Sequence, residues 1–164
     1  MDISSFKNYL AEHNDNTDRQ VSSMLVSSLF GSSMIISGDF SARRIFEFAG
    51  QQIGESYFRN TPSESKDQLV AEIADFFKKI GLGEVVHENM QPGGKQFVTS
   101  IIVLRDGVLS DFVKIGKPCC FLEKEIIRNA FVSFTRRLNI SVEETECYCS
   151  SADHCRFEVS MLPA

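Results

Sequence analysis

All five cysteines of the chain fall in one window: Cys119, Cys120, Cys147, Cys149 and Cys155. Glu143, Glu144 and Glu146 stand just ahead of the last three. Thiolates and a carboxylate, brought together from a helix start and two strands, are the donors of a tetrahedral zinc site. The spacing departs from the common fingers, because there is no pair of Cys-x-x-Cys knuckles. The bland alternative is a set of buried, reduced cysteines, since a free Cys packs as a small hydrophobe. On a regular strand Glu144 and Cys147 point to opposite faces, while Cys147 and Cys149 share one. Cys149 therefore competes with Glu144 for a place in any metal site, unless a bulge or the strand end intervenes. Oxidation of Cys119 with Cys120, or of Cys147 with Cys149, is a third chemistry open to the same residues.

The elements that would position these groups follow from periodicity. Pro118 opens a helical pattern whose inward stripe is Ile127, Ala130, Phe131, Phe134 and Leu138. This places Cys119 and Cys120 at a helix start. Ile140 to Cys149 and Cys155 to Met161 read as strands, with Cys155, Phe157, Val159 and Met161 alternating to one face. Upstream, Glu84 to Glu88, Phe97 to Leu104 and Val108 to Val113 also read as strands. Phe97 to Leu104 is apolar on both faces and should be central. Pro92-Gly93-Gly94 and Asp106-Gly107 are the turns between them.

The first half reads as helices. Ser4 to His13 and Val21 to Phe30 have helical spacing, and Met34-Ile35-Ile36 is a short apolar segment before Gly38. Ser41 caps a helix to about Arg59 with a broad apolar face of Ile45, Phe46, Phe48, Ala49, Ile53, Tyr57 and Phe58. Gly50 and Gly54 lie on one side of it, and two mid-helix glycines cost roughly 1.5–2 kcal/mol relative to Ala. Close approach of another backbone, or of a ligand, would offset that cost. With Phe46, Ile53 and Tyr57, the two glycines form the candidate ligand pocket. Thr61, Pro62 and Glu64 carry the signals of a further helix start. Leu69, Ile73, Phe76, Phe77 and Ile80 face inward along that helix, and Gly81 stops it. Helices first, then a mostly antiparallel sheet interrupted by one helix, make an α+β domain.

The chain has 164 residues, of which 43% are hydrophobic, enough for one domain with a sizeable core. Its formal charge of −5, with no basic stripe, argues against a nucleic-acid partner. No run of about 18 apolar residues is present to span a membrane. The Met1-Asp2-Ile3-Ser4 start lacks the features of a signal peptide, so the expected location is cytoplasmic. In that reducing compartment an odd number of cysteines points to metal or redox chemistry rather than to a disulfide framework. His13 and His154 read as solvated loop residues and His87 as a strand side chain.

Cysteine at a helix start, a long helix, Glu-x-x-Cys at a strand end and Cys-x-Phe leading the last strand together resemble the 4-vinyl reductase domain family, also called the hydrocarbon-binding domain. The resemblance covers roughly Met34 to Met161, and its specific part lies between Pro118 and Val159. It implies a fold similar to the TRAPP trafficking subunits, with residues 1–33 as a helical extension and 34–161 as the core domain. It also implies a zinc ion held by Cys120 (or Cys119), Glu144, Cys147 and Cys155. The turn Ser150-Ser151-Ala152-Asp153-His154 and the added thiol Cys149 depart from the family pattern. The function implied is binding or sensing of a small hydrophobic or aromatic molecule by a homodimer, without catalysis. A TRAPP-like dimeric scaffold and a cysteine-based redox sensor are the alternatives. A vinyl-group reductase ranks behind them, because the sequence offers no site for a hydride donor.

Overall fold

The computed structural model describes residues 16–59, 63–88, 96–104 and 116–161. Their order is α1 (Asn16–Phe58), α2 (Lys66–Lys79), β1 (Glu84–Glu88), β2 (Gln96–Leu104), α3 (Phe121–Thr135), β3 (Ile140–Glu146) and β4 (Cys155–Met161). A short 3-10 turn, Tyr148–Ser150, links the last two strands. The strands pair in the order β1-β2-β4-β3, and every neighbouring pair is antiparallel. The α+β architecture expected from the sequence is thus the one observed. The expected helix Ser4 to His13, the strand Val108 to Val113 and the two hairpin turns lie outside the described residues.

Alternation builds β4: Cys155, Phe157 and Val159 are buried, and the residues between them are half-buried. β2 sits beside it in the middle of the sheet, and Thr99 to Val103 are all buried, as expected of a covered strand. Ile126, Ile127, Ala130 and Phe131 of α3 and Leu69, Ile73, Phe76 and Phe77 of α2 close the core with them. Tyr57, Phe58, Phe76 and Phe77 form a chain of ring contacts where α1 meets α2.

Helix ends differ from the sequence reading in instructive ways. α2 is capped by Ser65, whose side chain accepts the Gln68 amide at 3.2 Å, and not from Thr61. Gln68 in turn accepts the Glu64 amide at 2.9 Å, so the reciprocal capping bonds exist one turn later than expected. Gly81 does stop this helix. It has φ 74°, its N–H donates to Lys78 O, and Leu82 N–H donates to Phe77 O, the paired hydrogen bonds of a Schellman end. α3 ends at Thr135, with Arg136 in the left-handed region, three residues before Leu138. Leu138 is therefore exposed rather than part of the inward stripe. α1 is interrupted at Gly38, where φ 75° and ψ 167° break the helix.

The broad apolar face of α1 is divided. Phe58 is buried, while Phe46, Ala49, Ile53 and Tyr57 pack half-buried against the core. Ile45 and Phe48 point into solvent. Gly50 and Gly54 face α3 at close range. A Cβ on Gly50 would stand 2.4 Å from Leu122 O, and one on Gly54 2.8 Å from Asn129 Cβ. Backbone approach of α3, rather than open space, occupies the room that the glycines leave. Of the five candidate pocket residues, Phe46, Ile53 and Tyr57 are those whose side chains remain available to line a cavity.

Candidate metal centre

Three elements deliver the donors. Cys120 is the N-cap residue of α3, and its thiol makes no capping bond to the helix. Glu144 lies near the end of β3. The β3–β4 register slips there: Glu144 pairs with Phe157 and Glu146 with Arg156. Two steps along β3 match one along β4, which is a bulge at Thr145. β3 then ends at Glu146, and Cys147 caps the 3-10 turn. Bulge and strand end together cancel the alternation that would have sent Glu144 and Cys147 to opposite faces. Cys155, the first residue of β4, closes the set.

The ligand atoms of Cys120, Glu144, Cys147 and Cys155 all lie within 4.8 Å of one another. Cys120 Sγ stands 3.7 Å from Cys147 Sγ and 3.3 Å from Cys155 Sγ. Tetrahedral thiolates at a Zn–S distance of about 2.3 Å stand about 3.8 Å apart, so the spacing suits zinc. The three thiols are buried. Glu144 Oε2 accepts the Cys120 amide at 3.2 Å, which orients the carboxylate at the helix start. Its Oε1 is buried and has no hydrogen-bond partner among the described residues, an expensive state for a carboxylate unless a cation faces it.

The electrostatics agree with that reading. Burial, together with the Cys147 thiol beside it, pushes Glu144 up to about 8. Hydrogen bonds from Cys120 and Cys155 hold the Cys147 thiol far below its ordinary value. One negative charge thus sits among four donors, on a sulfur, with the proton kept on the carboxyl. A divalent cation would compensate both groups when deprotonated.

Cys119 and Cys149 form a disulfide. The pairings expected from the sequence, Cys119 with Cys120 and Cys147 with Cys149, are not those observed. Cys149 is consequently no rival to Glu144 in this arrangement. The only hint in the sequence is arithmetic: Cys120, Cys147 and Cys155 leave two thiols over. His154 contacts Glu146 and Asp153, each at 2.5 Å, and stands outside the four-donor group. His87 lies on β1 facing Asp67.

The fold of antiparallel sheet and helices, with this cluster at one corner, defines a TRAPP-like α+β protein. The family model of the vinyl-4-reductase domain matches residues 101–161, from β2 to the end of β4, and this is the family that the glutamate and cysteine spacing resembles. Among solved structures, the chain is similar to the phenol-responsive sensory domain of the transcription activator PoxR with phenol, at TM-score 0.67 and 15% identity over 85% of this chain and 74% of that one. It is similar to a vinyl-4-reductase family protein from Methanocaldococcus jannaschii, at TM-score 0.50 and 16% identity over 85% of this chain and 78% of that one. It is also similar to a trafficking protein particle complex subunit 3 from Naegleria fowleri covalently bound to palmitic acid, at TM-score 0.58 and 16% identity over 88% of this chain and 97% of that one. No curated protein matches the chain at a significant level. Among the described residues, no helix is long and apolar enough to cross a membrane.

Proposed function

We propose that the chain is a small-molecule-binding sensor domain whose C-terminal corner is held by a structural zinc ion. The observation that carries this reading is the convergence of Cys120, Glu144, Cys147 and Cys155 within a fold similar to a phenol-responsive sensory domain. Four protein donors leave no open position, which is the signature of a structural site rather than a catalytic one. The ion would tie the start of α3 to the ends of β3 and β4. The ligand is a small hydrophobic or aromatic molecule, held on the inner side of α1 by Phe46, Ile53 and Tyr57. The active form is a homodimer joined through α1, where Leu29, Ile35, Ile36 and Phe40 are exposed. The site of action is the cytoplasm.

Native mass spectrometry of protein purified without added metal tests these points together. One zinc per chain and a dimeric mass are expected, and phenol added as probe should bind by calorimetry. Ile53→Trp should abolish phenol binding while leaving the zinc in place. A metal-free wild type under reducing, chelator-free conditions would remove the zinc reading. Absence of binding to phenol and to longer aliphatic probes would leave the dimeric scaffold as the function.

A further inference from the structure

The Cys119–Cys149 disulfide joins the two segments that the four-donor site also joins. Cys119 immediately precedes Cys120 at the start of α3. Cys149 lies two residues after Cys147, and its amide donates to Cys147 Sγ at 3.4 Å. Beside the disulfide, Gly116 N–H donates to Cys149 O at 2.8 Å, a second tie between the same segments. The neighbouring bonds therefore fix the positions of both Cys120 and Cys147 whether or not an ion is bound. Cys119, Cys147 and Cys149 also have their sulfurs within 4.8 Å of one another.

We propose that Cys119–Cys149 is a redox-controlled latch that governs how tightly the neighbouring site retains its zinc. The proposal rests on the zinc reading above. Release of the ion requires Cys120, on α3, to part from Cys147, at the end of β3. With the latch closed, a donor that lets go stays beside the ion and rebinds, because the tether keeps its effective concentration high. With the latch open, that restraint is gone, and two further thiols near Cys147 compete for the metal. Closing the latch bonds the two Sγ atoms and gives up two protons and two electrons. A small-molecule disulfide accepts them and is split into two thiols. The three remaining thiols are protected while they ligate zinc, so the exchange is directed to Cys119 and Cys149.

The test uses the zinc-loaded chain after equilibration with oxidised glutathione or with a phosphine reductant. Alkylation and peptide mapping should find the Cys119–Cys149 link only in the oxidised sample. A chromophoric chelator should then draw zinc from the oxidised protein at least about tenfold more slowly than from the reduced protein. The double variant Cys119→Ser, Cys149→Ser should release zinc at the reduced rate under both treatments. Mapping that finds no such link after oxidation overturns the latch. So does equal release from oxidised and reduced wild type, a comparison that needs no mutation, or a double variant that still responds. Wild type that binds no zinc in either form sinks the zinc reading and the latch with it, whereas zinc bound without redox dependence sinks the latch alone.

Discussion

Around the break in α1, Ile35 is 87% and Ile36 82% exposed, and Phe40 is 77% exposed. At the other end of the chain, Cys147 and Cys155 are fully buried, with a half-buried carboxylate against them. The first region leaves apolar groups in water, at about 1.5–3 kcal/mol of unrealised burial for each large side chain. The second takes ionisable groups out of water, which is costly unless an opposite charge meets them. Both regions are incomplete in the isolated chain, and they lack different things. A hydrophobic deficit calls for another apolar surface, and a second copy of α1 is the nearest one of matching chemistry. An anionic deficit calls for a cation.

The largest effect should come from the buried corner. Structural zinc contributes about 10–16 kcal/mol in small peptides, against a total domain stability of about 5–15 kcal/mol. Cys155→Ser is expected to lose the zinc and to lower Tm by more than 10 °C, roughly 2 kcal/mol or more for a domain of this size. Metal analysis with calorimetry checks both. Retained zinc in that variant would break the contrast between the two ends.

Gly50→Ala should follow. Helix propensity alone would favour Ala by about 1 kcal/mol. The contact of a new Cβ with Leu122 O at 2.4 Å forces α1 and α3 apart instead. A net loss of about 1–3 kcal/mol in chemical denaturation is expected. A gain in stability would mean that α1 does not approach α3 so closely.

Phe40→Glu probes the other end. It should shift a dimer toward monomer in light scattering, with little change in the fold of a single chain, because the side chain is already in water. A variant that stays dimeric would place the interface elsewhere.

The smallest effect is a slope. Glu144 is raised to about 8, so below that pH the metal-free site holds a proton that zinc must displace. Zinc affinity should therefore rise from pH 6 to pH 8, by up to about tenfold per unit from this group. In Glu144→Gln the Glu144 share of that slope should vanish. Competition titrations at three pH values measure it, and an unchanged slope would take Glu144 out of the ligand set.

Much of the architecture was legible because it is local. The alternation of Cys155, Phe157 and Val159, the glycine stop at Gly81 and the apolar stripe of Ile127, Ala130 and Phe131 are written in periods of two and 3.6. The donors too could be picked from the chain, through the spacing of Glu144, Cys147 and Cys155 and its likeness to a family. Their meeting could not, because a free strand gives no reason for a bulge at Thr145. The bulge arises only when β3 is registered against β4. The use of Gly50 and Gly54 was equally open in the sequence, which allowed a ligand or a helix and could not say which backbone would come near. The pairing of Cys119 with Cys149 joins residues 30 apart in the chain. Short-range periodicity is set by bonds and side chains within a few residues, and the sequence states it outright. Register, close approach and sulfur pairing depend on which distant segments share space, and tertiary structure alone decided them.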